Sequence, residues 1–340
     1  MSAIAISAFG WWRLATAAAL VTLAALGSAA APGSANAQTY PTKSITLVVP
    51  LAAGTGMDTI ARLYGEQLSH TLGKPVVIDN RPGAAMMLAL TSVARAAPDG
   101  YTLGIATSGP LATNPVLYKR IDYDPDKDFS PIALYVKSPF VLVVNPALPV
   151  RTVPDLIKLA KESASPLNYS TPGVGLMQHL SAEFMKQRFG FEATHVPYRS
   201  TPQSVTDIVA GHVAFGFAEA GAAVPLIKEG KLRAIAVSSK TRLPILPDVP
   251  PFAEASGASD YEAVSWHVLF APAATPAPVI NRLHGEMKRI MGGAEMIKKV
   301  SDLGLIPFDI QPVDETRAYI KSEQDKWGTL VRTLGLAGSQ

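Results

Sequence analysis

The chain alternates short apolar runs with segments in which apolar residues recur every three or four positions. Short, continuous apolar runs indicate strands that are buried on both faces of a sheet. They occur at 45–49, 76–78, 102–106, 132–136, 141–144, 234–238 and 264–271. The helical period predicts helices over 58–72, 154–162, 177–189, 202–209, 276–291 and 314–334. These repeated strand–loop–helix units predict an α/β fold with mainly parallel sheets.

Two of these units place a glycine-rich loop between the strand and the helix. The first loop carries Gly54 and Gly56, and the second carries Gly173 and Gly175. Free backbone N–H groups and the positive end of the helix dipole converge at a loop of this kind. Both loops therefore predict the binding of an anion, and their similar layout in two halves of the chain suggests two similar domains that face each other.

Apolar strands at 140–144 and 265–270 stand where the chain could cross between two such domains. Each strand is followed by a proline, in Asn145-Pro146 and Ala271-Pro272. The crossings predict a first domain of residues 40–139 plus 266–340 and a second domain of residues 140–265.

The first 37 residues have the composition of a cleaved signal peptide. Arg13 is their one charged side chain, an apolar run covers 14–26, and Ala35-Asn36-Ala37 has the small-x-small pattern that signal peptidase cuts. A retained membrane anchor is the alternative, but a span needs about 20 apolar residues. We therefore expect cleavage before Gln38 and a soluble protein in the periplasm of a Gram-negative bacterium.

Composition narrows the classes of function that remain. About 300 mature residues suffice for two domains. The net charge is +3, charged residues make up 17% of the chain, and no basic block or basic stripe with interleaved aromatics occurs. A nucleic-acid partner is therefore not expected. The absence of cysteine excludes disulfides and a lipid-anchored lipoprotein.

Signatures of catalysis are weak. The Gly54-Thr55-Gly56 loop follows a strand as in a dinucleotide-binding motif, but Thr59 stands where that motif needs its third glycine. The serine hydrolase elbow G-x-S-x-G is absent. His179 and Glu183, four residues apart on one helix, could ligate a metal, yet no third ligand is identifiable. We therefore expect no enzyme activity, no metal and no cofactor.

Several short motifs follow one another along the chain. They are Pro50-Leu-Ala-Ala-Gly-Thr-Gly-Met-Asp58, Asp79-Asn-Arg-Pro-Gly83, Pro98-Asp-Gly-Tyr-Thr-Leu103, Asp128-Phe-Ser-Pro-Ile132, His195-Val-Pro-Tyr-Arg199, Gly230-Lys-Leu-Arg-Ala-Ile-Ala-Val237, Leu246-Pro-Asp-Val-Pro250, Trp266 and Lys326-Trp327. Each motif alone is weak. In number and order, over essentially the whole mature length, they resemble the periplasmic solute-binding proteins of tripartite tricarboxylate transporters, the Bug family.

The resemblance implies a type II periplasmic-binding fold, in which two α/β domains close over a small carboxylate. It also implies that backbone N–H groups, hydroxyls and ordered waters hold the carboxylate, and that a membrane permease receives the ligand in a transient contact. We expect a monomer. A sensor that feeds a signalling partner and, less favoured, an exported hydrolase remain alternatives.

The candidate ligand-binding residues lie at the ends of predicted strands and the starts of predicted helices. In the first domain they are Ala53, Thr55, Gly56, Met57, Asp58, Ala85, Met86, Thr107 and Ser108. In the second domain they are Thr171, Gly173, Val174, Met177, His179, Ala218 and Glu219. For Asp58, a local ion pair with Arg62 is the interpretation that we favour.

Methionines mark where this chain departs from the family pattern. The family commonly reads R-P-G-A-G-G, whereas this chain reads Arg81-Pro-Gly-Ala-Ala-Met-Met87, and Met57 and Met177 lie at the two glycine loops. Packing beneath the loops is the simpler interpretation. The alternative is an adaptable apolar pocket, which predicts an aromatic or longer aliphatic acid rather than a citrate-like ligand. Glu219 could accept an amine or a hydroxyl of such a ligand.

Overall fold

The computed structural model describes residues 40–340, and the predicted signal peptide lies outside the described residues. Residues 43–340 form one compact unit. Its strands are β1 Ile45–Val49, β2 Val76–Asn80, β3 Thr102–Thr107, β4 Phe129–Ser138, β5 Phe140–Val144, β6 Leu167–Thr171, β7 Ala193–Pro197, β8 Phe215–Glu219, β9 Arg233–Val237, β10 Ser265–Pro272 and β11 Ile306–Pro307.

The helices of this unit alternate with the strands. They are α1 Gly56–Leu72, α2 Met87–Ala94, α3 Asn114–Leu117, α4 Val153–Glu162, α5 Met177–Phe189, α6 Thr201–Val209, α7 Ala220–Lys228, α8 Phe252–Ser256, α9 Ala277–Met291, α10 Ala294–Asp302 and α11 Val313–Thr333. A 3₁₀ turn over Ala84–Met86 precedes α2, and a π-helical turn over Gly109–Thr113 precedes α3. The predicted α/β class is confirmed.

Two sheets organise the unit. The first has the strand order β11-β4-β10-β3-β1-β2, and the second has the order β7-β6-β8-β5-β9. The chain passes from the first sheet to the second between β4 and β5, and it returns between β9 and β10. The predicted crossing strands are thus β5 and β10.

Both sheets are mixed, which corrects the prediction of mainly parallel sheets. β1 pairs in parallel with β2 and β3, and β6 does so with β7 and β8. β10, β11 and β5 run antiparallel to their neighbours. A parallel neighbour requires a crossover connection, whereas β5 and β10 enter their sheets from the other sheet. Their long apolar runs resemble parallel strands because both faces are buried.

One hydrophobic core extends through both sheets. It includes Val48 and Phe270 from the first sheet and Leu142 and Tyr169 from the second, all nearly inaccessible to solvent. Trp327 of α11 belongs to the same core. The edges of both sheets are therefore supported by a shared, close-packed interior.

Ser238 fastens the two crossing segments to each other. Its hydroxyl accepts a hydrogen bond from the Phe140 N–H at 2.9 Å, and its own N–H donates to the Phe140 carbonyl at 2.8 Å. Its carbonyl accepts from the N–H of Ala263 at 3.1 Å, on the segment that leads back to the first sheet. A largely buried ion pair between Lys137 and Glu262, at 3.1 Å, spans the same region.

Candidate functional site

The candidate residues gather at the carboxyl ends of parallel strands, where α/β sheets place their ligand sites. The loops after β1, β2 and β3 share one edge of the first sheet, and the loop after β6 and the end of β8 share one edge of the second. Gly175, in the loop after β6, packs against Leu117 of α3: a Cβ atom at 175 would lie 2.2 Å from a Leu117 methyl carbon. The loop after β6, at the second sheet, therefore contacts a helix that follows β3 of the first sheet.

The loop after β1 caps its own helix. Thr55 is the N-cap of α1, and its hydroxyl accepts a hydrogen bond from the Asp58 N–H at 3.3 Å. The same hydroxyl donates to the Ala52 carbonyl at 2.9 Å. Within residues 40–340 the backbone N–H groups of Gly56 and Met57 have no partner. These two donors are what this loop offers to a ligand.

Both carboxylate oxygens of Asp58 accept hydrogen bonds from neighbouring groups of the protein. One carboxylate oxygen accepts from the Gly54 N–H at 2.8 Å and from the Arg62 guanidinium at 2.9 Å, and the other accepts from the Asn80 side chain at 3.0 Å. Chiefly because of the hydrogen bond from Arg62, the pKa of Asp58 falls to about 2. The expected ion pair between Asp58 and Arg62 is present. The carboxylate therefore positions the loop and places a permanent negative charge at the start of α1.

The turn after β2 is strained. Ala84, Ala85 and Met86 have φ values of 45°, 49° and 73°, in the left-handed region that favours glycine. Each such residue costs about 1–2 kcal/mol. Three polar contacts hold the turn: the Asn114 side chain donates to the Ala85 carbonyl at 3.2 Å, the N–H of Met87 bonds the carbonyl of Ala84, and the Thr107 hydroxyl donates to the Met86 sulfur at 3.5 Å.

The hydroxyls that follow β3 are already partnered. Thr107 contacts the Met86 sulfur, and the hydroxyl of Ser108 lies 2.9 Å from the hydroxyl of Ser265 at the start of β10. Both Thr107 and Ser108 are buried. To reach a ligand, either hydroxyl would have to exchange its present partner.

The start of α5 is arranged differently from the start of α1. Leu176 is the N-cap and supplies no side-chain hydrogen bond, and the first turn contains no acidic residue. In the part of the chain that the structure describes, no group accepts from the backbone N–H groups of Met177, Gln178 and His179. Three donors that have no partner among the described residues, in a first turn without an acidic residue, favour an anion at this helix start more than at the start of α1.

Two stacked histidines support the α5 loop from behind. His179 Nδ1 accepts the Gly175 N–H at 3.0 Å, and the His179 ring stacks on His195 with 4.0 Å between centroids. His195 Nε2 lies 2.6 Å from the Thr171 hydroxyl at the end of β6. Burial lowers the pKa of His179 to about 3 and that of His195 to about 4, so both rings are neutral at neutral pH.

Glu183 joins this cluster but does not form a metal site with His179. Its carboxylate accepts from the hydroxyl of Tyr169 and from Lys186 at 2.7 Å, while its distance to His179 Nε2 is 4.0 Å. Residues 40–340 contain no group of three or more side chains suited to holding a metal ion. The same residues contain no helix long and apolar enough to cross a membrane.

Glu219 lies at the end of β8, beside the start of α5. Solvent reaches the side chain, yet enough protein surrounds the carboxyl group that desolvation raises its pKa above the ordinary value. Crowding together with solvent access is typical of a group inside a cleft. Gln178 approaches Glu219 at 3.5 Å. Ala218, the preceding residue, is buried in the sheet.

The methionines divide into two groups. Met57 and Met177 are buried, so the packing interpretation describes them. Met86 and Met87 are half-buried and pack against the edge of the core. Ala53 and Ala85 are exposed, and Gly173 and Val174 are half-exposed on the loop after β6. Of these four methionines, Met86 and Met87 are therefore the two that leave apolar surface accessible to solvent.

Sequence reasoning overlooked residues that act through others. Asn80 and Asn114 hold the loops after β1 and β2, and His195 supports Thr171. His195 belongs to the motif His195-Val-Pro-Tyr-Arg199, but the spacing of that motif does not indicate that its ring stacks on His179. Gln178 approaches Glu219, 41 residues further along the chain, and no local sequence pattern indicates that contact.

A sequence model of the tripartite tricarboxylate transporter family receptor, TctC, matches residues 60–336. The chain belongs to this family. The BugT protein of Bordetella pertussis is 31% identical over 301 residues, covering 88% of this chain and 92% of that protein. A Pseudomonas sp. protein from the tcbD-tcbE intergenic region is 33% identical over 301 residues, 88% of this chain and 89% of the relative. The resemblance to the Bug family is thus confirmed.

Solved structures of this receptor family share the fold. A Rhodopseudomonas palustris protein solved with adipate is 34% identical, with a TM-score of 0.76, over 88% of this chain and 99% of the other. MatC of the same organism, with bound malate, is 30% identical, with a TM-score of 0.70, over 86% of this chain and 100% of the other. The periplasmic binding protein BugD is similar, with a TM-score of 0.72 and 30% identity. The chain is therefore a solute-binding receptor of this fold.

Proposed function

We propose that this receptor works in the periplasm, captures a small organic carboxylate by hinge closure of two domains, and delivers it to a membrane permease of the tripartite tricarboxylate type. The domains are residues 40–139 plus 266–340 and residues 140–265, as the course of the chain through the two sheets favours. The membrane permease is the partner that the name of the receptor family implies.

The start of α5 is the observation that carries this proposal. Three backbone N–H groups without a partner among residues 40–340 lie in a first turn that contains no acidic residue, and neutral His179 supports the loop. A carboxylate in this position accepts hydrogen bonds in the direction that the helix dipole favours. On the first sheet, the backbone N–H groups of Gly56 and Met57 would donate a second set of hydrogen bonds to the ligand. These donors are neutral peptide groups and not cationic side chains.

The ligand class that we propose is a carboxylate with an apolar body, an aromatic or longer aliphatic acid. The relatives solved with adipate and malate hold aliphatic dicarboxylates. The half-buried Met86 and the exposed Ala85 add an apolar surface to the first edge. Asp58, with its pKa near 2, stays ionised in its pair with Arg62, and its carboxylate disfavours a ligand that, like citrate, would bring several carboxylates close together on that edge.

Calorimetric titration of the mature protein tests the proposal. We expect a C6–C8 diacid or a benzoate-type acid to bind at micromolar or lower Kd, and citrate to bind at least tenfold more weakly. Tight binding of citrate alone would contradict the proposed ligand class while leaving the receptor role intact. Binding of none of these acids, by protein freed of co-purified ligand through unfolding and refolding, would contradict the carboxylate proposal itself.

Glu219 gives a second, narrower test. If its carboxyl group accepts a hydroxyl or amine of the ligand, Glu219→Gln lowers the affinity about tenfold or more, since a hydrogen bond to a charged group is lost. The matched change Glu229→Gln alters a carboxylate at the far end of α7 and is expected to have no effect. Unchanged affinity in Glu219→Gln would remove this residue from the site.

A further inference from the structure

A left-handed turn made of non-glycine residues separates β2 from α2. Ala84, Ala85 and Met86 all have positive φ, and Gly83 before them has a φ of 131°. Side chains disfavour this backbone region. Strain of this kind persists only when the surrounding structure enforces it, and it is concentrated at ligand sites.

The surroundings do enforce the turn. The Asn114 side chain holds the carbonyl of Ala85 from α3, and the Thr107 hydroxyl bonds the sulfur of Met86 from the end of β3. Folding does not require a methionine at position 86: the Asn114 side chain bonds a backbone carbonyl, and the Thr107 hydroxyl could bond water or backbone instead of the sulfur. The contact nevertheless fixes where the Met86 side chain points.

The sheet order shows where that direction leads. β1 lies between β2 and β3 in the first sheet. Met86 follows β2, yet its sulfur contacts Thr107 at the end of β3. The segment from the end of β2 to the Met86 sulfur therefore crosses the carboxyl end of β1, from which the loop with the Gly56 and Met57 donors leaves.

We propose that the Ala84–Met86 turn determines ligand specificity by holding the Met86 thioether against Thr107 at the carboxyl end of the first sheet. The inference rests on the proposed function, and it specifies which part of the ligand the carboxyl end of the first sheet would favour. The thioether is polarisable and apolar, and it occupies the Thr107 hydroxyl that would otherwise be available to a ligand. A methylene chain packs against this surface, whereas a hydroxyl or second carboxylate there loses its water without gaining a partner.

Met86→Gln is the main test, because it preserves side-chain length and changes polarity. Met87→Gln is the matched control, at the next residue and also half-buried. Affinities for adipate, suberate, malate and citrate are measured by calorimetry for the wild type and both variants. We expect Met86→Gln to weaken adipate and suberate about tenfold relative to malate and citrate, and Met87→Gln to leave the order and spacing of affinities unchanged.

Ala85→Gly gives a readout that does not depend on the ligand. Glycine adopts positive φ without steric cost, so we expect a higher midpoint of thermal unfolding for the ligand-free variant. As a control, Ala89→Gly in α2, where the helix needs no positive φ, is expected to lower the midpoint.

The outcomes distinguish failure of the Met86 specificity proposal from failure of the carboxylate-receptor proposal. Wild-type protein that binds these acids, combined with an unchanged order of affinities in Met86→Gln, would overturn the specificity role and leave the carboxylate receptor standing. Wild-type protein that binds none of them would overturn both. A lower unfolding midpoint in Ala85→Gly would show that the turn is not strained and would contradict the premise.

Discussion

The starts of α1 and α5 follow the same pattern of strand, glycine loop and helix, but they differ in charge. At α1 the Thr55 hydroxyl caps the helix, and ionised Asp58 accepts the Gly54 N–H and places a negative charge in the first turn. At α5 no side chain caps the helix, and a neutral histidine supports the loop from behind. The glycine pattern alone therefore does not define an anion site, because one acidic residue in the first turn changes what the loop can hold.

The difference suggests a division of labour between the two edges. The α5 edge offers three backbone donors in a first turn that contains no acidic residue, which suits a charged end of a ligand. The α1 edge offers two donors beside the Asp58–Arg62 ion pair and the Met86 surface, which suits the apolar body of a ligand better than a second concentration of charge. The five predictions below probe the two helix starts, beginning with the largest expected effect.

Gln178→Glu is expected to abolish the advantage of the α5 edge. The new carboxylate would stand in the first turn of α5, and two like charges 4 Å apart repel by about 4 kcal/mol at an effective dielectric constant of 20. We expect affinity for carboxylates to fall by about 100-fold or more at pH 8, measured by calorimetry on protein that chemical denaturation shows to be folded. Some loss of stability is expected as well, because Gln178 is buried and lies 3.5 Å from Glu219. The matched change Thr59→Glu, in the first turns of α1, should alter affinity less than about threefold. Equal losses in both variants would contradict the comparison.

Acid should destabilise the α5 side through its buried histidines. The pKa of His179 falls to about 3 and that of His195 to about 4 in the folded protein, compared with about 6.5 when unfolded. Full stability is therefore present above pH 6.5 and is lost as the pH falls toward 4, because the unfolded chain binds protons first. Each histidine contributes up to about 1.4 kcal/mol per pH unit.

His179→Gln isolates one of these protons. Glutamine can still accept the Gly175 N–H but does not titrate. Between pH 6 and pH 4.5 the free energy of unfolding should therefore decrease in both proteins, but by about 2 kcal/mol less in the variant than in the wild type. Urea unfolding at several pH values measures the slope. His267, whose pKa burial lowers to about 4, contributes equally to both proteins. Identical slopes would show that His179 is protonated in the folded state.

Asp58→Asn should cost stability without costing affinity. The carboxylate is covered by its own loop near the surface and accepts three hydrogen bonds, so we expect a loss of about 1–2 kcal/mol at pH 7. Because its folded pKa lies below the unfolded value, this contribution is present above about pH 4 and disappears as the pH falls through 2. Asp79→Asn, which removes an exposed pair with Arg81, is the control and should cost less. Carboxylate affinity reduced more than tenfold in folded Asp58→Asn would place a ligand contact at this residue.

Thr55→Ala should have the smallest effect. It removes the N-cap of α1, a change that costs about 1 kcal/mol, and Thr55→Ser should recover most of that loss. Chemical denaturation measures the stability, and calorimetry measures the affinity. If Thr55→Ala weakens ligand binding much more than it weakens folding, its hydroxyl contacts the ligand as the sequence predicts.

Most of the fold could be predicted from the sequence because its principal signals are local. Helix α5 has the predicted bounds, and α1 begins two residues earlier than predicted because Thr55 caps it. β7 and β8 were missed: β7 is a short strand at the edge of its sheet and only partly buried, and β8 contains two glycine-or-alanine positions that weaken the apolar run. Strand direction was not predictable from burial, since β5 and β10 are buried on both faces as parallel strands are.

The site was less predictable, because its geometry depends on contacts between distant residues. The left-handed turn at Ala84–Met86 runs against the preference of alanine and methionine, and it exists because Asn114 and Thr107 hold it. Likewise, the spacing of His179 and His195 says nothing of their stacking. The assignment of individual ligand contacts stays a prediction that the variants above address.

The strained turn also affects how the receptor can evolve. Every alanine codon becomes a glycine codon by one nucleotide change, so Ala84 and Ala85 are each a single mutation from a relaxed backbone. Such a change is expected to stabilise the protein, and the added stability would tolerate further substitutions elsewhere in the cleft. A lineage could thus shift its ligand range in small steps, each of which leaves a folded receptor.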